Sequence, residues 1–409
     1  MSDSVGPDID LLDFHRYAGS QPHDDFDWLR VNDPVHRHPE PDGGPGFWAL
    51  TRHDDVQAVG RDTERFSSRP TIMIPDGPTV ADDEHVMMLM ADPPIHTRMR
   101  RLVSRRFTPR AAAALSDRVA ELAARIVDEV VADGSCDAVT DLAGEMPSFV
   151  IADILGIPLV DGRDLYRHTE TLHAAPEAVT PTQRAEALAA MAAYAGDVYR
   201  RRRADPAGDD LGSLIANGTV AGRPTDETDF FLWFLLLIDA GGDTTRNLVG
   251  AGLHALFAND DQLALLTADP AGRLDRAIEE LLRYVSPVVH MRRTATVDTE
   301  LGGRPIRAGD KVVMFYGAAN RDPATFDEPH RLDIDRRPNP HVAFGGGGPH
   351  FCLGAHLARL EIRALLAEML TRLDDLAPAG PASWMSSNFV FGPTSLPISF
   401  RPGPRRGDR

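Results

Sequence analysis

One cysteine of the sequence lies between a run of glycines and a predicted helix, a place where a metal could bind. Residues 344–354 read FGGGGPHFCLG, with Cys352 near the end. The glycines allow a backbone with positive φ and the close approach of a flat ligand. An amphipathic run begins at Leu353, so we expect Cys352 at a helix N-terminus. Free amides and the helix dipole favour a thiolate there, which is the form that binds metals.

A second group of reactive residues interrupts the longest predicted helix, over residues 225–259. The first half of this helix is apolar on all sides, which places it in the core. Residues 239–245 then read DAGGDTT, and glycines and threonines weaken a buried helix through low propensity and hydroxyl bonds to the preceding turn. The interruption is either a simple kink or a gap that admits a small molecule, to which Asp243 and Thr244 would move protons.

A third stretch, DPPIHTRMRRLVSRRFTPR, predicts a strongly basic helix after two prolines. Arg98, Arg101 and Arg105 share one face of this helix by their spacing. His96 and Arg100 share another face. The basic helix is either a solvated arginine surface or a functional one. In the second case one face would grip anionic ligand groups and the other would attract an acidic partner.

The composition limits the classes of protein to which the chain can belong. Its 409 residues are 43% hydrophobic and can bury a large core, and the net charge of −18 argues against binding nucleic acid or anionic membranes. The acidic N-terminus lacks a secretory signal, and the longest strongly apolar run, residues 230–238, is far shorter than the ~20 residues that span a bilayer. Two cysteines make no disulfide framework. Cys136 has no histidine or basic residue near it in the sequence and is expected to be a buried structural thiol. We expect a cytoplasmic protein with no membrane anchor and no nucleic-acid partner.

The hydrophobic periodicity predicts a mainly α fold with a small β region, in one domain over residues 1–409. Residues 1–25 show little periodicity and are expected to form a loosely ordered arm. Glu280 and Arg283, three residues apart on a predicted helix, can form a buried bidentate ion pair. The predicted helices cover residues 26–31, 54–60, most of 111–203, 225–259 and 273–284, and the predicted strands cover 35–38, 46–50, 294–301 and 311–316.

Three motifs together resemble those of the cytochrome P-450 superfamily of haem-thiolate monooxygenases. In chain order they are AGGDTT at residues 240–245, EELLR with Glu280 and Arg283, and HFCLG with His350, Cys352 and Gly354. Matching segments extend from about residue 25 to residue 400. The resemblance implies the P-450 fold, with a long central helix over haem b (iron protoporphyrin IX). Cys352 would be the proximal ligand of the iron.

The resemblance also assigns residues around the haem and behind it. His96, Arg100 and Arg293 match positions that hold the haem propionates, together with His350. Arg292 is the alternative to Arg293. The positions of the cysteine loop that border the haem are Phe344, Gly345 and Gly354. Glu280 and Arg283 would form the core ion pair, completed by an arginine of the loop that follows, for which Arg331 and Arg336 both qualify.

On the opposite side of the haem, the resemblance assigns four neighbouring residues. Ala240 and Gly241 would leave the groove where O2 binds. Thr244 would hold the bound oxygen and its water by hydrogen bonds, and Asp243 would relay protons from solvent. The presence of both Asp243 and Thr244 argues against a variant that runs on peroxide alone.

The cysteine loop departs from the superfamily pattern by one residue. Phe344 lies eight residues before Cys352 instead of seven. Either the loop carries one extra glycine, the interpretation that we favour, or Phe344 does not shield the sulfur. This longer form, with SPVVHMRRTA, FYGAANRDP and SNFVFGPTSLP, resembles the bacterial subgroup that hydroxylates steroids and methyl-branched lipids.

The expected activity is therefore the insertion of one oxygen atom of O2 into a hydrophobic lipid, steroid or terpenoid-like molecule. A tailoring oxidase of macrolide or polyketide biosynthesis is the alternative. A non-catalytic haem-thiolate binding or sensor protein is a third possibility, and the intact Asp243–Thr244 pair weighs against it. Asp239 would either hydrogen-bond a polar group of the substrate or point into a water channel. The expected pocket walls are Met73, Ile74, Met88, Leu236, Ala240, Val288, Val289, Val390 and Phe391, with Asp239 as the polar member.

The chain has no flavin or iron–sulfur segment, so the expected electron donors are separate proteins. Electrons from NAD(P)H would pass through a ferredoxin reductase and an acidic ferredoxin. The ferredoxin is expected to dock near four arginines, namely Arg98, Arg101, Arg105 and Arg359. We expect the protein to act as a monomer.

Overall fold

The computed structural model describes residues 7–76, 85–173, 179–220 and 222–406. Most of these residues are helical. The α-helices are α1 His23–Asn32, α2 His53–Arg61, α3 Ile95–Val103, α4 Pro109–Ala114, α5 Ser116–Val130, α6 Glu145–Leu155, α7 Leu159–His173, α8 Pro181–Ala204, α9 Leu211–Ala216, α10 Glu227–Phe257, α11 Asp260–Ala268, α12 Pro270–Val285, α13 Tyr316–Ala319 and α14 Ala355–Arg372. Short 3-10 helices cover Phe14–Tyr17, Pro41–Gly43, Met88–Met90 and Ser104–Arg106, and a π-helix covers Ala138–Ala143.

The strands form one five-stranded sheet and several smaller ones. The larger sheet has the order β1 Val35–His38, β2 Phe47–Leu50, β10 Lys311–Phe315, β7 His290–Ala295 and β3 Phe66–Ser67. Its β2–β10 pair is parallel and its other pairs are antiparallel. The smaller sheets contain β4 Ser135–Asp137, β5 Thr219–Val220, β6 Arg223–Pro224, β8 Thr299–Leu301, β9 Arg304–Ile306, β11 Asp374–Pro378, β12 Ser383–Trp384, β13 Pro393–Ser395 and β14 Pro397–Arg401. The predicted mainly α fold with a small β region is confirmed.

The C-terminal strands lie outside the predicted β region. β14 pairs with β11 and, across more than half of the chain, with β4. Such short strands give little periodicity in the sequence, because distant partners stabilise them. Cys136 lies on β4 opposite Ile398, and its burial, with nearby aspartates, raises the pKa of its thiol to about 12. Cys136 is partly buried and not fully buried as predicted, and its raised pKa suits an unreactive thiol.

Helix α10 runs through the core, as its apolar first half predicted. Asp226 caps it and forms a capping box with Asp229. The helix continues without interruption through residues 240–245, although the sequence predicts a weak point there. The hydroxyl of Thr244 donates to the carbonyl of Ala240 at 3.1 Å, which is the expected bond to the preceding turn. The polar residues are therefore accommodated inside a continuous helix.

The prediction of a loosely ordered N-terminal arm is wrong for residues 11–25. Leu11 and Tyr17 are fully buried in the main hydrophobic core, and α1 begins at His23. The Leu11 amide donates to His38 Nε2 at 2.9 Å. The Leu11 carbonyl accepts from the Tyr17 hydroxyl at 3.2 Å. The hydrophobic periodicity of residues 11–25 did not predict this burial, because the segment is buried by residues distant in the chain and not by forming one regular helix or strand. Residues 1–6 lie outside the described residues.

The predicted Glu280–Arg283 pair forms in the core, and the structure selects its third member. Arg283 donates to both oxygens of Glu280 at 2.8 and 2.7 Å, and neither side chain is exposed. Arg336 Nε lies 3.1 Å from Glu280 Oε2, whereas the exposed Arg331 side chain pairs with Glu328. Arg331 contributes its backbone carbonyl, which accepts from Arg283 at 3.0 Å. Arg336 therefore completes the ion-pair network.

Among the described residues, no single helix is both long and apolar enough to cross a membrane. One bent pair, Ala138–Leu155 with Leu159–Leu172, reaches that length and composition only when its two parts are taken together.

Replacing Arg336 should destabilise the fold more than replacing Arg331. Arg336→Ala removes a buried donor to Glu280 and the side-chain donor of the Asp327 carbonyl, which should cost about 1–3 kcal/mol. Arg331→Ala removes one exposed ion pair and should cost less than about 1 kcal/mol. Urea unfolding of both variants measures the difference. Equal losses would show that Arg336 does not support Glu280.

Candidate active site

The glycine run before Cys352 lies against the end of α2. Gly345, Gly347 and Gly348 have φ values of 98°, 96° and 75°, a left-handed conformation that other residues rarely adopt. At Gly346 a Cβ atom would lie 2.7 Å from the carbonyl oxygen of Val56. All four positions therefore require glycine, three for conformation and one for close packing.

Phe344 remains attached to the cysteine despite the longer loop. The Cys352 amide donates to the Phe344 carbonyl at 2.9 Å, which closes the loop. The guanidinium carbon of Arg359 lies 4.5 Å from the centre of the Phe344 ring. The four glycines thus pack on α2 while the backbone of Phe344 stays hydrogen-bonded to that of Cys352.

Cys352 lies just before α14, which begins at Ala355 with Gly354 as its N-cap. Burial raises the pKa of the Cys352 thiol, while the Gly354 amide, Arg100 and Arg359 act in the opposite direction. The amide at the start of α14 thus favours the thiolate, as the sequence predicts, but burial outweighs it in the protein chain alone and the pKa of Cys352 is raised. A bound metal ion would supply the missing positive charge, because metal ligands of this kind bind deprotonated.

Two predicted propionate ligands, His96 and His350, meet beside the cysteine loop. Their ring centres are 4.1 Å apart. Burial, together with Arg100 and Arg293, lowers the pKa of His96 to about 4, and the same causes lower the pKa of His350 to about 2. His96 Nδ1 is buried without a hydrogen-bond partner among the described residues. Both rings are therefore neutral and are placed to gain from a nearby anion.

Arg100 and Arg293 complete this group, which we call the basic cluster. Burial lowers the pKa of both guanidinium groups, and neither forms an ion pair with a described carboxylate. Arg292, the alternative to Arg293, points to the other side of β7, since successive residues of a strand alternate in direction. Arg292 donates to the carbonyl of Ile74 at 3.1 Å and pairs with Asp76 at 2.6 Å. Arg293 is therefore the arginine on the His350 side.

The sequence did not predict the residues that support His350. Ser68 Oγ lies 3.0 Å from His350 Nε2. The Ser68 amide donates to Asp92 at 2.8 Å, and the Ser67 hydroxyl donates to the other oxygen of that carboxylate. These residues orient the imidazole of His350, and no local motif marks them because their partners are distant in the chain.

Haem fits this arrangement of residues. It offers an iron ion for the Cys352 sulfur and two carboxylates for the basic cluster. The cluster contains the buried Arg293 and the half-buried Arg100, neither of which has a carboxylate partner among the described residues, and a buried imidazole nitrogen that lacks a partner among them. Buried charges ordinarily require partners of this kind.

The residues predicted to lie on the opposite side of the haem, namely Ala240, Gly241, Asp243 and Thr244, are neighbours on α10. Ala240 is exposed and Gly241 partly exposed, and the nearest side chain to a Cβ atom at Gly241 would be Ile151, at 3.6 Å. Asp243 is 2% exposed and accepts a hydrogen bond from the Tyr166 hydroxyl at 2.8 Å. Tyr166, on α7, was not predicted from the sequence, because nothing local to either residue indicates the contact.

Several of the predicted pocket segments gather beside β7. Val288 and Val390 form an isolated antiparallel bridge, and the Val289 amide donates to the carbonyl of Phe389 at 2.9 Å. The Arg292 amide donates to the carbonyl of Ile72, which brings the segment with Met73 and Ile74 to the same strand.

The remaining predicted pocket residues have different environments. Leu236 and Asp239 lie on α10 within the turn before Ala240, and Met88 begins a 3-10 helix. Phe391 stacks on Trp384 with ring centres 5.2 Å apart, so its ring already packs against the protein. Asp239 is partly exposed.

The predicted docking arginines fall into two groups. Arg98, Arg101 and Arg105 are exposed on α3 and the turn after it, whereas His96 and Arg100 face inward. Arg359 donates to both oxygens of Glu279 at 2.6 and 2.7 Å.

Burial alone would raise the pKa of Glu279, but hydrogen bonds from Arg359 and His341 lower it to about 2. Glu279 and Arg359 therefore form a firm ion pair beside the cysteine loop, which leaves the α3 arginines as the freer positive surface.

The sequence and the fold are similar to those of known proteins. A family model described as Cytochrome P450 matches residues 273–395. The methyl-branched lipid omega-hydroxylase of Mycobacterium tuberculosis is 38% identical over 363 residues, or 87% of this chain and 85% of the relative. The steroid C26-monooxygenase of Mycolicibacterium smegmatis is 36% identical over 404 residues, or 97% of each chain. A cytochrome P450 of Mycobacterium marinum, solved with pseudoionone, has a TM-score of 0.90 at 39% identity and covers 97% of this chain and 100% of its own.

Proposed function

Because the chain belongs to the cytochrome P450 family, and is therefore a monooxygenase that uses haem, O2 and reducing equivalents, we propose that it hydroxylates a lipid, steroid or terpenoid-like molecule. The substrate class rests on the relatives, which are named as hydroxylases of methyl-branched lipids and of steroids. The single structural observation that carries the site is the buried basic cluster beside Cys352. Four basic side chains converge there, and none of them forms an ion pair with a carboxylate among the described residues.

We propose that the cofactor is haem b and that Cys352 binds its iron. His96, Arg100, Arg293 and His350 would hold the propionates, and Ser68 would keep the His350 ring oriented. Phe344 and the glycine loop would pack beside the sulfur. When bound, the haem activates O2 with two electrons and two protons, so that one oxygen atom enters a C–H bond of the substrate and the other leaves as water.

The distal residues of α10 would bring the protons to this site. Thr244 carries a hydroxyl that can donate and accept at once, one turn after the exposed Ala240. Asp243, buried next to it, can pass a proton inward from solvent. Ala240 and Gly241, which have small or absent side chains, would leave room for O2.

The substrate would lie against apolar walls from four parts of the chain. The walls beside β7 would be the segment with Met73 and Ile74, the bridge of Val288 with Val390, and Val289, and Leu236 of α10 would face them. A steroid or branched lipid suits such walls because its binding is driven by the burial of apolar surface. We propose that Asp239 selects substrates that carry a hydroxyl or amine.

We also propose a domain organisation, a location and an oligomeric state for the protein. One hydrophobic core cluster includes residues from Leu11 to Phe400, which supports a single domain. Cys136 and Cys352 are both free thiols, which suits the reducing cytoplasm. We propose that the protein acts there as a monomer.

Cys352→Ala should abolish both the haem-thiolate spectrum and oxygenation. The reduced carbon monoxide complex of the wild type should show the absorption of a thiolate-ligated haem, and a ferredoxin, its reductase and NADPH should support product formation. The variant should lack both because its iron has no sulfur ligand. Cys136→Ser, at the other free thiol, is the control and should retain both. A thiolate spectrum in Cys352→Ala would refute this ligand assignment.

Asp239→Ala should weaken the binding of polar substrates. Binding spectra against sterols, branched fatty acids, terpenoids and macrolides would first identify ligands that displace the iron-bound water. For a hydroxylated ligand, losing a hydrogen bond to a carboxylate should reduce affinity about tenfold or more or move the position of oxidation. A matched ligand without the hydroxyl should bind both proteins equally. Unchanged affinity and product position for the best substrate would exclude this role for Asp239.

Family members of this kind receive electrons from redox partner proteins, and we propose an acidic ferredoxin that docks on the exposed α3 arginines. Replacing Arg98 and Arg101 with Glu should slow reduction of the haem by about tenfold at low salt and flatten its dependence on ionic strength. Stopped-flow reduction at several salt concentrations measures both. Arg304→Glu, exposed on β9, is the control. If the double variant kept the wild-type rate and salt dependence, docking would lie elsewhere.

A further inference from the structure

The carboxylate of Asp243 is held by a residue of another helix. Tyr166, on α7, donates its hydroxyl to Asp243 Oδ1 at 2.8 Å. The two residues are 6% and 2% exposed, so bulk water does not compete for this bond. Burial, and the nearby Asp243 charge, raise the pKa of Tyr166, which therefore stays a hydrogen-bond donor. A buried bond between a phenol and a carboxylate fixes both groups.

Gly242, in the AGGDTT motif of α10, leaves room for the ring of Tyr166. A Cβ atom at Gly242 would lie 2.8 Å from both Cδ2 and Cε2 of the Tyr166 ring. Real side chains do not approach so closely, so any other residue at position 242 would displace the ring. Gly242 immediately precedes Asp243. The second glycine of AGGDTT is therefore explained by the close approach of α7.

Two further residues connect the Tyr166–Asp243 pair to the surface. Arg246 Nη2 lies 3.5 Å from Asp243 Oδ1, and its guanidinium carbon is 5.3 Å from the centre of the Tyr166 ring. Arg246 Nη1 donates to Glu170 Oε1 at 2.5 Å. The Glu170 side chain is 42% exposed, whereas those of Arg246 and Asp243 are 4% and 2% exposed. Polar groups thus run continuously from Asp243 to solvent beside α7.

We propose that Tyr166 is a positioning residue that holds Asp243 in the orientation from which it delivers protons. The proposal rests on the proposed function, in which Asp243 relays protons to the O2 site. Without the Tyr166 hydroxyl, the carboxylate would turn more freely towards Arg246, and protons would reach the site more slowly. Both outcomes, hydroxylation and the release of H2O2, use two electrons and two protons. A proton that arrives late or at the wrong oxygen would leave the O–O bond uncleaved, and the reduced O2 would then leave as H2O2 instead of giving product and water.

Tyr166→Phe tests the proposal because it removes the hydroxyl and keeps the ring. Product formed per NADPH should fall at least threefold, hydrogen peroxide should rise in proportion, and the solvent isotope effect on turnover should increase. The dissociation constant of the substrate and the rate of reduction should stay within twofold. Tyr194→Phe is the matched control, since its hydroxyl bonds Asp161 at 2.6 Å, outside this route. The control should keep the wild-type product yield.

A second measurement does not depend on turnover. The unfolding free energies of wild type, Tyr166→Phe, Asp243→Asn and the double variant form a cycle, and the two substitutions should be non-additive if the bond contributes as proposed. If Tyr166→Phe does not fold, Gly242→Ala replaces it, because the added methyl group displaces the ring while every polar group remains. It should lower the product yield in the same way.

The outcomes separate this proposal from the one on which it rests. A normal product yield in Tyr166→Phe, with a low yield in Asp243→Asn, would overturn the role of Tyr166 and leave the relay in place. A normal yield in both variants would overturn the relay and the positioning role together. A stability change in Tyr166→Phe with normal yield and isotope effect would show a purely structural tyrosine and would also overturn the proposal.

Discussion

The active site depends on an electrostatic constraint that the protein chain alone does not satisfy. Burial lowers the pKa of His96 to about 4 and of His350 to about 2, lowers the pKa of Arg100 and Arg293, and raises that of Cys352. Every one of these shifts disfavours the charged form. A ligand with two carboxylates and a central cation would reverse all of them at once, so haem held by these residues, as proposed, would offset the cost of burying them.

The segments around these groups must be rigid, so that the groups keep their unfavourable buried positions. The cysteine loop cannot move towards α2, because Gly346 and Gly348 already lie against the backbone of Val56 and Gly60. On the other side, Arg359 joins Phe344 to Glu279 of α12. The next residue of that helix, Glu280, is fixed by Arg283 and Arg336 in the core. Neighbouring acids of α12 thus secure the cysteine loop and the loop that precedes it.

Helix α10 contains an acid and hydroxyl groups although it runs through the apolar core, so these polar groups need hydrogen-bond partners. Thr244 satisfies its hydroxyl within the helix, through the carbonyl of Ala240. Asp243 uses a neighbouring helix, through Tyr166, and Gly242 provides the space for that contact. Gly242 and Thr244 lower the helix propensity of this segment, yet they also allow its polar groups to be satisfied. The segment therefore folds as a continuous helix although its sequence predicts an interruption.

The sequence by itself determined the parts of this protein whose signals are local: the cysteine loop, the pair Glu280–Arg283, the helix with Asp243, and the two faces of α3. Side-chain spacing along one helix or loop fixes these relations before folding. Only the tertiary structure decided between Arg336 and Arg331 and between Arg293 and Arg292, because each choice depends on which way a side chain points from a loop or strand. It also revealed Ser68, Tyr166 and the burial of the N-terminal segment, whose partners are distant in the chain. Contacts of that kind leave no periodic trace, since packing alone brings the residues together.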